Sequence, residues 1–306
     1  MTDGVLLLDK PLGLSSTAAG LRVRRLLRAA KAGHVGSLDP LATGMLPICI
    51  GEATKVAGEI LEGRKVYRFS VALGARTATG DAEGEVVERA SVPAFDAAAV
   101  RAAMQGFLGE TRQVPPMYSA IKQGGQPLYK LARAGQVVER EPRVVHVDAY
   151  ELLGIEVDAQ GLPVALDCRV TCSKGTYVRV LAEDLSRTLG TVGHVSALRR
   201  ERVEPFDPSR LVTLEAIESA AQAGELAGLP WLSPDEVLGH LPAVDLDPEG
   251  QRRLLHGQAV AVSTDGWQTG QRVRLRGPGG AFLGLGAVSE PGRVAPKRLV
   301  ARQVSE

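Results

Sequence analysis

The residue whose surroundings hold the most chemistry is Asp39, inside Lys31-Ala-Gly-His-Val-Gly-Ser-Leu-Asp-Pro-Leu-Ala-Thr-Gly-Met-Leu-Pro47. From Lys10 to Leu38 the chain carries six Lys or Arg and no acid, so Asp39 is a lone carboxylate entering a positive field that should keep it ionised. An ionised carboxylate can act as a general base, a nucleophile, an N-cap or an ion-pair partner, and charge alone does not choose among them. Gly33, Gly36 and Gly44 permit tight turns or a close approach to a ligand. Pro40 suits the first position of a helical turn with Asp39 as its N-cap.

Two further positions stand out. Arg179 falls in the first turn of an expected helix, where a cation opposes the macrodipole unless an anion offsets it; it is either an exposed arginine or a partner for Asp39. Tyr67 sits among apolar residues of an expected strand, a place usually taken by a core tyrosine with its hydroxyl at the rim. The five histidines and three cysteines show no metal-ligand spacing and no even disulfide set, so metal catalysis is not expected.

The elements that must position these groups follow from periodicity. Gly4 to Pro11 reads as a buried strand, and Ser15 or Ser16 caps a helix running to about Ala32. That helix carries Val23, Leu26, Leu27 and Ala30 on one face and Arg22, Arg24, Arg25, Arg28 and Lys31 opposite, either a solvated face or a phosphate-contacting ridge. Lys65 to Gly74 alternates as a strand with Tyr67, Phe69 and Val71 together, Arg76 to Gly84 is a polar loop, and Ala97 to Leu108 is a helix. Pro115 to Arg143, rich in Lys, Arg and Tyr, leaves the sheet as an excursion suited to gripping a partner or as ordinary surface. Strands at 145–157 and 164–172 lead through Ser173-Lys-Gly-Thr176 into a helix with Val178, Leu181, Ala182, Leu185 and Leu189 as its stripe, then a strand over His194 to Arg200 and a helix over Thr213 to Ala223. A proline-rich boundary at 226–249 precedes short strands with Gly and Pro turns that predict a small β-barrel.

At 306 residues and 44% hydrophobic content the chain suits roughly two globular domains. It has no apolar run of about 18 residues and no basic leader before Val5-Leu-Leu-Leu8, so a cytoplasmic protein without membrane association is expected. Residues 250–306 hold nine Lys or Arg against three acids, a local excess that suits a polyanion partner within a chain whose net charge is only +1.

Six fragments in order resemble one family, the bacterial TruB-type tRNA pseudouridine synthases: Asp9 to Ser16, Gly33 to Pro47, Tyr67-Arg68, Pro115 to Lys122, Ser173 to Arg179 and His194 to Arg200. Phe282 to Ala287 and Gly292 to Arg298 resemble the PUA domain of such enzymes. The resemblance implies an α+β pseudouridine-synthase fold with a mixed, mostly antiparallel sheet flanked by helices. It implies a catalytic domain over 1–245 with an RNA-gripping insertion near 115–145, and a PUA-like domain over 246–306. The implied reaction converts a uridine of the tRNA T-loop, tRNA position 55, to pseudouridine without cofactor or metal, in a monomer that binds the T-arm of tRNA. Asp39 matches the catalytic aspartate and Arg179 its arginine partner. Tyr67 matches a tyrosine that packs on the base and transfers protons, Tyr177 and Leu198 match uridine-pocket positions, and His34 matches a histidine that fills the space left by the flipped base. Lys10 falls in the first motif and is taken as substrate-binding.

The chain departs from the pattern at Val35, where threonine is common, and at Ala78, the first aspartate of an acidic loop whose second, Asp81, is kept. Three other readings compete. An RNA-binding or tRNA-folding protein with little catalysis would use the same basic surfaces. A guide-RNA-dependent pseudouridine synthase is a closer relative, and the excursion at Pro115 to Arg143 argues against it. An aspartate-nucleophile hydrolase would want a second carboxylate or a metal near Asp39, and the sequence points to neither.

Overall fold

A computed structural model describes residues 3–264 and 266–300. Nine strands form the main sheet, in the order Leu211–Thr213, Gly4–Lys10, Ala42–Ile50, Gly193–Val203, Lys65–Leu73, Pro163–Cys172, Arg143–Val157 and Gly109–Gln113, with Ala32–His34 joined to Ala42–Ile50 off this path. Two neighbouring pairs run parallel, Gly4–Lys10 with Leu211–Thr213 and Ala42–Ile50 with Gly193–Val203; the others are antiparallel. The expected mixed, mostly antiparallel sheet is therefore what the chain forms.

Alternation explains how the sheet is buried. Leu6 and Leu8 face one side and meet the helices Ser16–Leu26, Ala97–Gln105, Val178–Thr188 and Leu214–Ala223 through Val23, Val100, Met104, Leu181, Leu185 and Ile217. Val5 and Leu7 face the other side, with Met45, Cys49, Ile60, Phe206 and Val237. A strand buried on both faces reads as a continuous apolar run, which is why Val5-Leu-Leu-Leu8 shows no period. Each such side chain contributes about 1.5–3 kcal/mol on leaving water.

Three expectations are corrected. The first helix stops at Leu26 instead of Ala32: Arg28 takes a φ of 49°, and Ala32–His34 pairs in the sheet against Ile48 to Ile50. Asp39-Pro40 starts no helix; Ala42 N–H donates to the Asp39 carbonyl at 3.0 Å, closing a turn that enters the Ala42–Ile50 strand. The proline-rich stretch is tied down as well, since Val5 and Leu232 exchange two backbone hydrogen bonds of 2.8 and 2.9 Å and Pro234–Val237 is a short helix.

The second sheet holds five strands, ordered Ala243–Asp245, Arg272–Arg276, Phe282–Glu290, Arg293–Leu299 and Val260–Ala261, around Val244, Leu254, Val273, Leu275, Leu283 and Val294. It takes in Ala243–Asp245, upstream of the boundary drawn at 246, while residues 301–306 of the expected domain lie outside the described residues. Part of its basic excess is spent on docking. Arg274 and Arg276 both reach Asp235, at 3.1 and 2.8 Å, Arg272 lies 3.6 Å from Glu59, and Lys55 donates to the Leu299 carbonyl at 2.8 Å. Arg252, Arg253, Lys297 and Arg298 remain exposed. No described helix is long and apolar enough to cross a membrane.

Candidate active site

Asp39 rides on the loop between Ala32–His34 and Ala42–Ile50, and that loop is pinned from beneath. Ser16 Oγ accepts from Leu38 N–H at 2.7 Å and donates to the Leu38 carbonyl at 2.9 Å, while Gly13 N–H donates to the Pro40 carbonyl at 2.9 Å. Lys10, fully buried, donates through Nζ to the carbonyls of Leu14 at 2.6 Å and Pro11 at 2.9 Å, with Pro40 O at 3.4 Å. Burial pulls the Lys10 ammonium down to about 8, against the pull of Glu83 and Asp39. The lysine expected at the substrate thus supports the loop from behind instead of facing the cavity.

Arg179 meets Asp39 where the helix Val178–Thr188 begins. Its Nη2 lies 3.0 Å from Asp39 Oδ2, and its Nε lies 3.7 Å from Asp81 Oδ2. Nη1 donates to the Thr79 carbonyl at 2.6 Å and Nη2 to the Tyr118 carbonyl at 2.7 Å. A planar fork so engaged holds one orientation. Asp81 is fixed in turn, accepting from Thr79 Oγ1 at 2.6 Å and Glu83 N–H at 3.1 Å. Here is the second carboxylate that the sequence did not point to. Its side chain is 5% exposed and lies behind Arg179, away from the cavity wall, so it orients the arginine and does not supply the paired acid of a hydrolase.

These contacts open onto a cavity of about 220 Å³. Asp39, Tyr67, Tyr177, Arg179 and Leu198 all line it, and Ser119 and Ala120 of the excursion close one side. Tyr177 is held through its backbone, its N–H donating to Gln113 Oε1 at 2.9 Å. Leu198 belongs to the strand Gly193–Val203 and pairs with Ala42, so the pocket wall and the Asp39 loop share one ladder. His34 stands outside this wall, with Nε2 3.1 Å from Ser37 Oγ, and burial followed by the nearby Arg200 lowers its pKa.

Burial outweighs the positive field around Asp39 in setting the direction of its pKa. The side chain keeps 39% of its surface open to the cavity, yet it is recessed among protein atoms, and burial raises its pKa above the ordinary value. Arg179 opposes that rise and Asp81 adds to it. Burial likewise raises the Tyr67 phenol, against the cation and hydrogen bond of Arg200. A carboxyl and a phenol displaced from their usual values, sharing one cavity, mark a site able to move protons. Among the described residues no group of three or more His, Cys, Asp and Glu could hold a metal ion.

The two departures have simple surroundings. Val35 is 4% exposed and packs with Val5 and Met45, where a methyl fits without a hydroxyl partner; Ala78 is exposed in its hairpin. Sequence reasoning assigned no role to Asp81 or Arg200. Arg200 could have been found by alternation, since it shares the inward face of its strand with Leu198, while Arg199 points away and forms a bidentate pair with Asp9 at 2.9 Å.

Comparison with known proteins gives a consistent picture. Residues 24–178 match the N-terminal domain of TruB family pseudouridylate synthases, 179–229 the tRNA pseudouridylate synthase B C-terminal domain, and 242–300 the C-terminal domain of pseudouridine synthase II TruB. The chain is 49% identical over 298 residues to the tRNA pseudouridine synthase B of Chromohalobacter salexigens, covering 97% of this chain and 94% of that protein. It is 50% identical over 300 residues to the protein of the same name from Stutzerimonas stutzeri, covering 97% and 95%. In fold it resembles a solved Cbf5–Nop10–Gar1 complex, with a TM-score of 0.72 and 26% identity over 98% of this chain and 84% of that one. An H/ACA RNP bound to a substrate RNA containing 2′-deoxyuridine shares the fold at a TM-score of 0.73 and 23% identity, over 98% and 86%.

Proposed function

Since the chain belongs to the TruB family of pseudouridylate synthases, and so isomerises uridine to pseudouridine in tRNA, we propose that its target is the T-loop uridine at tRNA position 55 and that Asp39 is the catalytic carboxylate. The observation that carries this reading is the junction of Asp39, Arg179 and Asp81 at the edge of a cavity walled by Tyr67, Tyr177 and Leu198.

The reaction breaks the bond from N1 of uracil to C1′ of the ribose, turns the base and forms a bond from C5 to C1′; the proton on C5 departs and N1 gains one, so substrate and product are isomers. Such a site must hold both fragments and keep water out. A small cavity suits one nucleotide drawn from its stack and rejects a duplex, and contact with Tyr67, Tyr177 and Leu198 offsets the unstacking cost of about a few kcal/mol. Asp39, ionised and oriented by Arg179, attacks or takes a proton, then leaves. Tyr67 handles proton transfer at the base, and His34 with Ser37 supports the displaced loop of the RNA.

Recognition is assigned to three surfaces: the excursion at 115–145, which reaches the T-arm with Lys122, Lys130, Arg133 and Arg143; the catalytic domain over 1–245; and the C-terminal sheet, read as a PUA-like RNA-binding domain with Arg252, Arg253, Lys297 and Arg298 exposed. The enzyme is taken to act as a monomer in the cytoplasm. A stand-alone enzyme is preferred over a guide-dependent one because relatives matching at about half identity over nearly the whole chain carry the tRNA enzyme's name.

Incubating the purified protein with an unmodified tRNA transcript, without guide RNA, and mapping pseudouridine base by base tests this. Product at the T-loop uridine alone is expected. No product from folded protein rejects the reading, and product only with added guide RNA replaces it with the guide-dependent one.

A further inference from the structure

Arg200 is the largest fully buried side chain among the described residues, 1% exposed, and its position answers to the active site more than to the core. Its Nε donates to the Met45 carbonyl and its Nη2 to the Gly36 carbonyl, both at 2.7 Å, so it grips both shoulders of the loop that carries Asp39. It also stands directly opposite Tyr67 in the antiparallel pairing of Gly193–Val203 with Lys65–Leu73, which puts the two side chains on one face, and both line the cavity. Its geometry gives two hydrogen-bond partners among the described residues, these two carbonyls, and its charge acts on the neighbouring Tyr67 phenol.

A buried cation with no carboxylate beside it is costly, and the fold makes room for this one. At Gly44, with φ at +98°, any Cβ would collide with the Arg200 carbonyl; at Gly36, with φ at +69°, a Cβ would lie 3.2 Å from Nη1. Gly36 thus leaves room for the guanidinium, while Gly44 lets the backbone of the paired strand approach.

A guanidinium donates and never accepts. Toward the Tyr67 oxygen it can therefore act only as a donor or as a fixed positive charge. We propose that Arg200 is a positioning residue for pseudouridine formation: standing opposite Tyr67 on the same face, it ties the Asp39 loop, through Gly36 and Met45, to the strand pair that carries the phenol, so that carboxylate and phenol keep one register beside a fixed cation. This rests on the reading of the cavity as the uridine site. The Arg200 cation also offsets the effect of burial on the Tyr67 phenol, which keeps a phenol useful for proton transfer. Lysine keeps the charge but cannot reproduce two directed contacts from one rigid plane.

The test combines kinetics with a signal that does not depend on turnover. Five tyrosines make ring-carbon NMR of 13C-tyrosine-labelled protein tractable, with Tyr67 assigned by its loss in Tyr67→Phe. Arg200→Lys and Arg200→Gln are expected to move the Tyr67 Cζ resonance while leaving that of Tyr129 in place. Single-turnover conversion should slow by at least roughly tenfold, part of the hundredfold or more that a positioned acid or base supplies, with tRNA affinity unchanged within about twofold. An unmoved Tyr67 signal, or an unchanged rate, overturns the proposal. So does a lysine variant that fails to fold, because a positioning role requires the fold to survive exchange of one cation for another. Either result beside an active wild-type protein counts against Arg200 alone; an inactive wild-type protein counts against the parent reading.

Discussion

Asp39 and Arg179 meet at 3.0 Å, but the two halves of the pair are unequally held: the arginine side chain is 5% exposed and the aspartate side chain 39%. Arg179 is clamped by the carbonyls of Thr79 and Tyr118 and backed by Asp81, so it serves as a fixed template. Asp39 is the partner with open space before it. Under the proposed role of Asp39 as the catalytic carboxylate, that division leaves the group that must change its bonding free on its cavity side.

The same arrangement fixes the sign of a pH effect. Burial raises Asp39, Arg179 lowers it and Asp81 raises it. If the ionised carboxylate is the active form, the single-turnover rate falls as pH drops through a midpoint above the ordinary aspartate value of about 3.9. Asp81→Asn removes a like charge and is predicted to move that midpoint to lower pH; Arg179→Gln removes the opposing cation and moves it higher. Rate profiles under saturating enzyme check both directions, and shifts of the opposite sign would contradict the electrostatic account.

Gly44→Ala is predicted to destabilise the protein by about 1–3 kcal/mol beyond the strain of a positive φ, because its Cβ would strike the backbone of Arg200. Gly124→Ala is the control: φ there is +57° and no atom lies within 4 Å of a Cβ. Urea unfolding of the two variants isolates the clash, and the Gly44 variant should also lose activity.

Asp235→Ala is predicted to loosen the C-terminal sheet. It leaves Arg274 and Arg276 without their shared carboxylate, and Arg274 is only 12% exposed at its side chain. The expected loss is about 1–3 kcal/mol, read by urea unfolding, together with faster proteolysis near 225–250. Weaker tRNA binding with an unchanged single-turnover rate should accompany it.

How much of this could be read from the chain depends on where the determining contacts lie. Strict alternation in Lys65–Leu73 and Pro163–Cys172, and the stripe of Leu181, Ala182 and Leu185, are local patterns and gave those elements directly. The first helix was drawn too long because nothing local marks Ala32–His34 as a strand; its partner, Ala42–Ile50, imposes that state. Arg179 stood out as a cation at the wrong end of a helix, a place that suits an exposed arginine as well as a partner for Asp39, and the family resemblance chose between the two. Asp81 did not stand out, since an aspartate in a glycine-rich hairpin looks like any turn residue until the arginine behind it is placed. Lys10 and His34 were positioned by resemblance alone, and the structure sets both outside the cavity wall.

The central claim is that Asp39 performs the chemistry. Its most direct test is single-turnover pseudouridine formation on an unmodified tRNA transcript by the Asp39→Asn protein, measured beside its tRNA affinity. The variant should bind tRNA within about threefold of wild type and lose at least roughly a thousandfold in rate. Turnover at the wild-type rate would contradict the assignment.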